Sequence, residues 1–181
     1  LNECDYVIIK IWDNFPNYYP QSDLDIFCTN INLIAEKILT IGNKYLDQEF
    51  KININESENY HKQIDFIYME QIDFRFDLFG SFPDYKNVNI KNSYLYSVID
   101  NKVEKLIGYN NKEIKVFIPC VIDEMIVRYL DYLEYFVKRK DKIRHLDFIR
   151  NGIIQNANLE SFLDRFYNYI SLPIEKKEYS F

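Results

Sequence analysis

Apolar and polar residues alternate along this chain with two different periods. Residues 5–12, DYVIIKIW, are an apolar run rich in β-branched side chains and predict one buried strand. The next stretch, DNFPNYYPQS, carries two prolines and two asparagines and reads as a loop. SDLDIFC (22–28) then alternates, which predicts a second strand with Leu24, Ile26 and Cys28 on one face and Asp23 and Asp25 on the other. Thr29 or Asn30 can cap a helix whose inward stripe is Ile31, Ile34, Ala35, Ile38 and Leu39, and Gly42 can end it. Residues 60–80, YHKQIDFIYMEQIDFRFDLFG, predict a hairpin. If Glu70-Gln71 is its turn, not a favoured pair, then Ile64 faces Asp77, Phe66 faces Arg75 and Tyr68 faces Asp73. That register puts Asp73, Arg75 and Asp77 on one face and Asp65 on the other.

After the loop SFPDYKNVNIKNS, residues 93–106 predict a short helix and KEIKVFIP a further strand. From Pro119 the period turns helical: Val121, Ile122, Met125, Ile126, Tyr129, Leu130, Leu133, Phe136 and Val137 form one stripe. Asp141 can cap a second helix ending near Gly152, and Asn158 a third, LESFLDRFYNYI, which stops before Pro173. The final EKKEYSF reads as a frayed end or the start of a linker. The expectation is an α+β chain. A small mixed sheet with flanking helices occupies residues 1–118, and a helical subdomain packed on it occupies 119–181.

Composition narrows the classes. With 48% hydrophobic and 17% aromatic residues the chain can build a core and is not a disordered segment. A net charge of −6 argues against a chain-wide nucleic-acid footprint and leaves only a local site for a polyanion. Cys4, Cys28 and Cys120 are odd in number, widely spaced and outside any CxxC pattern, so they read as reduced thiols of a cytoplasmic protein. His61 and His145 are too few for a histidine-rich zinc site. No apolar run reaches the ~18 residues of a membrane span. A start at Leu1 instead of Met leaves room for other domains of a longer chain.

The chemistry concentrates in the carboxylates. Residues i and i+2 of a strand stand on one face about 6–7 Å apart, so Asp23 and Asp25 can reach one cation. A third carboxylate from a neighbouring strand would complete an all-oxygen site suited to Mg²⁺ and to phosphate oxygens. Taken alone, the pair also fits the wet face of an edge strand. The strand and loop before it, the capped helix after it and the acidic hairpin beyond favour the metal site.

The order YVIIKIW, loop, SDLDIF, helix, and a hairpin ending in FRFDLF resembles the nucleotidyltransferase superfamily that includes minimal nucleotidyltransferases and poly(A) polymerases. It is similar above all to nucleotidyltransferase-like proteins of surface-polysaccharide gene clusters, which carry a comparable SDLDI…RFDL…LPDYK run and a helical RYLEYL…KxKHL segment. The resemblance covers roughly residues 5–150. It implies an Mg²⁺-dependent transfer of a nucleoside monophosphate from a nucleoside triphosphate to a hydroxyl or phosphate acceptor, such as a sugar or glycan-linked one. It implies metal ligation by Asp23, Asp25 and a third carboxylate, Asp77, with Asp65 as the alternate and Asp73 as a less central one. One departure stands out. The superfamily's Gly-Ser or Gly-Gly before the DxD is replaced by IKIWDNFPNYYPQS, which has no glycine. Lys10 and Ser22 are the candidate phosphate contacts in its place. The loss equally fits a non-catalytic nucleotide- or partner-binding domain. A transferase acting on a protein or tRNA is a further alternative.

Other residues carry weaker signals. Arg75 can clamp phosphate or pair with Asp73 or Asp77. In VKRKDKIRH, Lys142 and His145 match the related KxKHL pattern and are candidate substrate-side residues, whereas Lys138 and Lys140 read as solvated. Arg128 and Glu134 read as surface or inter-helix pairs. Tyr18 and Tyr19 are candidates for stacking on a base. No Ser-His-Asp order, P-loop or GxGxxG is present.

Overall fold

Strand alternation becomes a central two-faced layer in the computed structural model, which describes residues 4–12, 14–57, 60–86, 88–110, 112–155 and 159–172. The fold is mixed α+β, with five α-helices and a mixed sheet among the described residues. The chain runs β1 (Tyr6–Ile8), β2 (Ser22–Cys28), α1 (Ile31–Tyr45), β3 (Lys51–Glu56), β4 (His61–Tyr68) and β5 (Gln71–Phe79). It continues through β6 (Asn89–Ile90), α2 (Ser93–Asp100), β7 (Val103–Tyr109) and β8 (Lys112–Ile118). Then come α3 (Val121–Tyr135), a 3₁₀ turn (Lys140–Ile143), α4 (Arg144–Gln155), α5 (Leu159–Tyr169) and β9 (Ile170–Ser171). Two compact units result: Leu1–Phe82 with Leu95–Cys120, and Pro83–Tyr94 with Val121–Phe181. The stretch 83–94, assigned to the sheet part by its sequence, thus goes with the C-terminal helices.

In the first unit the sheet order is β1-β2-β5-β4-β3. β2 and β5 pair in parallel, and the other pairs are antiparallel. One face is apolar: Leu24, Ile26 and Cys28 of β2, Ile64 and Phe66 of β4 and Leu78 of β5 are buried with Ile34, Ala35 and Ile38 of α1. Each Leu, Ile or Phe side chain among them, removed from water, contributes about 1.5–3 kcal/mol. α1 starts where the Asn30 side chain accepts a hydrogen bond from the Leu33 amide at 3.0 Å. Gly42 does not end this helix. It lies within α1, and a β-carbon there would come 2.8 Å from Phe66 Cε1, so the glycine lets α1 approach the sheet.

The hairpin differs from its expected register by one residue. The turn is Met69-Glu70, both in the left-handed region (φ 48° and 60°), which suits the twist of a two-residue hairpin. Gln63 therefore faces Asp77, and Asp65 faces Arg75. The register shifts again between Phe66 and Ile67, because Phe66 pairs Phe74 while Ile67 pairs Ile72, leaving Asp73 as the extra residue of a β-bulge. The run 5–12 gives only the short β1, and residues 103–106 belong to β7 and not to a helix. β7 and β8 form their own hairpin, which Ile107 and Val116 anchor in the same core, with Phe117 packed edge to face on Tyr6 at 5.7 Å.

In the second unit α3 buries Met125, Ile126, Val127 and Leu130, together with Asp123 and Asp131. The helix ends at Tyr135, so Val137 lies outside it and is exposed. Gly152 lies inside α4. A β-carbon there would come 2.6 Å from Met125 Sδ, so it too marks close helix approach and not a stop. Asp141 sits within the 3₁₀ turn ahead of α4 and is not its cap. The expected cap Asn158, Pro173 and the tail EKKEYSF lie outside the described residues.

Candidate metal centre

The centre is built by the parallel pairing of β2 with β5. Asp25 is directly opposite Asp77, and Asp23 opposite Arg75. Side chains alternate along both strands, so Asp23, Asp25, Arg75 and Asp77 share the face away from α1. That face closes at one end. Phe27, two residues after Asp25, is buried against Phe79 at 5.9 Å and Phe82 at 4.5 Å. It opens toward Asp23, which is exposed, while Asp25 is half-buried and Asp77 is buried. The carboxylates therefore stand at the rim of a covered surface.

Asp23, Asp25 and Asp77 each offer an oxygen within 4.8 Å of the others. Oxygens coordinating one Mg²⁺ at about 2.0–2.1 Å lie up to about 4 Å apart, and those around Ca²⁺ at about 2.3–2.6 Å up to about 5 Å. The spacing and the all-carboxylate donor set thus fit a hard divalent cation, and the group can bind a metal ion. Directly opposed like charges on neighbouring strands destabilise a sheet unless something offsets them. Here the Lys10 ammonium, just beyond β1 in the left-handed region (φ 55°), lies 2.6 Å from Asp25. His61 Nε2 lies 3.0 Å from Asp77 Oδ1. Asp23 has no ion-pair or hydrogen-bond partner among the described residues.

The remaining candidates fall elsewhere. Asp65, expected on the opposite face, shares this one, but Arg75 grips it through Nε at 2.6 Å and Nη2 at 3.1 Å. Those bonds hold the guanidinium pKa above its ordinary value, with Asp77 and Asp23 adding to the field. Arg75 is thus committed to Asp65, not to Asp73 or Asp77. Ser22 closes its own turn: its hydroxyl donates to the Tyr19 carbonyl at 2.6 Å and accepts from the Tyr19 amide at 3.1 Å. Tyr18 turns to the α1 side, packing on Phe74 at 4.9 Å and donating to Asp73 Oδ2 at 2.7 Å, while Tyr19 is exposed.

Lys142 and His145 belong to the second unit, where both are buried on Asp131; His145 Nε2 lies 2.9 Å from it. There Arg128 pairs with Glu124, and Glu134 accepts the Lys86 amide at 3.0 Å. Lys142 therefore reads as the interior partner of Asp131.

His61 is the residue that sequence reasoning passed over. Its ring stacks on Phe79 at 4.5 Å, and its Nδ1 meets Ser57 Oγ at 2.8 Å, so Ser57, His61 and Asp77 form a hydrogen-bonded chain. In the expected register His61 pointed away from Asp77. The true register puts it on the same face, and only that one-residue shift could have revealed it.

No family model, curated protein or solved structure matches this chain. Among the described residues, no helix is long and apolar enough to cross a membrane.

Proposed function

We propose that the first unit is an Mg²⁺-dependent nucleotidyltransferase domain. It would move a nucleoside monophosphate from a nucleoside triphosphate to a hydroxyl or phosphate acceptor. The observation that carries this reading is the convergence of Asp23, Asp25 and Asp77 from two adjacent parallel strands. Mg²⁺ in that cluster would neutralise triphosphate charge and order the reacting oxygens, the main demands of phosphoryl chemistry. Asp23 and Asp25 supply oxygens along one strand. Asp77, less exposed, is held from the other side by His61. Lys10, whose ammonium lies 2.6 Å from Asp25, would add positive charge beside the triphosphate. The acceptor oxygen bonds to the α-phosphorus, the bond to the bridging oxygen breaks, and pyrophosphate leaves. With a hydroxyl acceptor, its proton would pass to a carboxylate of the cluster; an ionised phosphate acceptor has none to lose. A sugar or glycan-linked acceptor rests on the sequence resemblance alone.

A second reading is a non-catalytic domain that keeps the acidic cluster without turnover. The Lys10–Asp25 ion pair and the His61–Asp77 hydrogen bond favour it, because both already engage carboxylates of the cluster. Calorimetric titration of each nucleoside triphosphate separates the two, with and without Mg²⁺, into wild type and Asp23→Asn/Asp25→Asn. The transferase reading expects Mg²⁺-dependent binding that the double variant loses. Absence of nucleotide binding by a folded wild type would sink it in favour of the second reading.

A further inference from the structure

Behind the sheet, on the α1 side, the first unit holds an open cavity of about 350 Å³. That lies within the range of about 300–1,000 Å³ typical of small-molecule sites. Trp12, Phe15 and Tyr18 of the loop after β1 form one wall, the C-terminal half of α1 another, and Phe74 and Phe76 of β5 the floor. The rings are not stacked in parallel. Trp12 meets Phe15 at 73°, Tyr18 meets Phe74 at 68°, and Phe74 meets Phe76 at 71°. Trp12 is held in place because its indole N–H donates to the Asn17 carbonyl at 2.6 Å.

One charge lines this aromatic cavity among the described residues, the carboxylate of Asp73. It is there because the β-bulge turns Asp73 away from the face of Arg75 and Asp77. Tyr18 donates to one carboxylate oxygen, which orients the group. No lysine, arginine or histidine is among the described lining residues. Such a cavity repels phosphates and carboxylates. It offers aromatic surface to an apolar body and a negative charge to a cation.

We propose that this cavity binds an organic cation with an apolar shell, of the methylated or quaternary ammonium class, recognised by the aromatic walls and by Asp73. The site lies on the opposite face of the sheet from the carboxylate trio and does not depend on the transferase reading.

The test uses the chain's only tryptophan, Trp12, as the reporter. Choline and its uncharged isostere, in which a quaternary carbon replaces the nitrogen, are titrated while indole fluorescence is followed. The expected result is a saturable response with choline binding about tenfold tighter than the isostere or better. Asp73→Asn should weaken that preference several-fold, leaving only the share the aromatic rings supply, and saturating Mg²⁺ should leave the response intact. Equal binding of the two probes by wild type overturns the proposal, as does the absence of any response. A preference that is undiminished in folded Asp73→Asn, or that Mg²⁺ abolishes, also overturns it. The comparison on wild type decides the matter even if the variant does not fold.

Discussion

Replacing Lys10 with Met keeps the aliphatic stem and removes the ammonium that lies 2.6 Å from Asp25. The oxygens of Asp23, Asp25 and Asp77 lie within 4.8 Å of one another. Two unit charges at that spacing repel by about 0.9 kcal/mol in bulk water and by about 3.5 kcal/mol at an effective dielectric of about 20. The Lys10 and Asp25 side chains are 23% and 18% exposed, so their pair is neither interior nor fully wet. Breaking a buried pair costs about 3–5 kcal/mol, and exposed pairs are worth about 0.2–1 kcal/mol. Without a divalent ion, Lys10→Met should therefore lose about 1–3 kcal/mol, which is several degrees of Tm for a chain of this size. Metal affinity should move the other way, because an incoming cation no longer competes with an ammonium at Asp25. Relief of about 1.4 kcal/mol of that competition is a tenfold tighter ion. Thermal unfolding across an Mg²⁺ series reads both effects. An ion at about 100 times its Kd adds about 2.7 kcal/mol, so the variant should start lower and gain more at each concentration. Weaker Mg²⁺ binding by the variant, or no stabilisation of either protein, would refute the reasoning.

Lys142→Met should destabilise the second unit by about 3 kcal/mol, because it removes the ammonium from the buried Asp131 carboxylate. Nucleotide affinity, measured by calorimetry on the folded variant, should stay unchanged; a loss would return Lys142 to the substrate. Gly152→Ala gains about 1 kcal/mol of helix propensity but drives a methyl to 2.6 Å from Met125 Sδ. Overpacking at about 1–3 kcal/mol should win, so urea unfolding should show a net loss, and a gain would mean that Met125 swings aside. The Tyr18 phenol is pushed up to about 12, first by its hydrogen bond to the Asp73 carboxylate. Its folded pKa exceeds the ordinary value of about 10, so the stability it adds is present below pH 10 and lost as pH rises toward 12. Alkaline absorbance titration should show a phenol titrating near 12 that Tyr18→Phe removes and Asp73→Asn brings back toward 10; no change in either variant would break the assignment.

Legibility in the sequence followed physical strength of signal. SDLDIFC was readable because Leu24, Ile26 and Cys28 face the core while Asp23 and Asp25 do not, so alternation survives in the residues themselves. The α1 cap and stripe were readable for the same reason, since Asn30 and Ile34, Ala35 and Ile38 each answer one local demand. β3 and β7 were not, because both are exposed along most of their length and need no apolar face. Gly42 and Gly152 were misread as stops. A glycine that ends a helix and one that lets a helix approach a neighbour look alike until Phe66 or Met125 is in place. Asp23 and Asp25 could be paired from the strand alone, whereas Asp77 is singled out from Asp65 and Asp73 through the family resemblance. His61 could not be named, because its side is set by a turn whose position the sequence left ambiguous.

The same residue count divides the acids of the first unit among different tasks. A turn one residue later with no bulge would place Asp73, Arg75 and Asp77 on one face. Asp65 would then stand on the opposite face without Arg75, and Asp73 would add a further negative charge beside the trio. With the turn at Met69-Glu70, Asp65 instead stands directly opposite Arg75 and is neutralised by it. With the bulge at Asp73, that carboxylate leaves the face and becomes the charged wall of the aromatic cavity. The Gln21 amide still bonds the Asp73 carbonyl at 2.8 Å, so pairing with the segment entering β2 continues past the bulge. What remains on the carboxylate face is Asp23, Asp25 and Asp77 with Lys10 and His61, a balance that a divalent ion can tip. A bulge is a local defect in the ladder, but here it decides which chemistry each side of the sheet can carry.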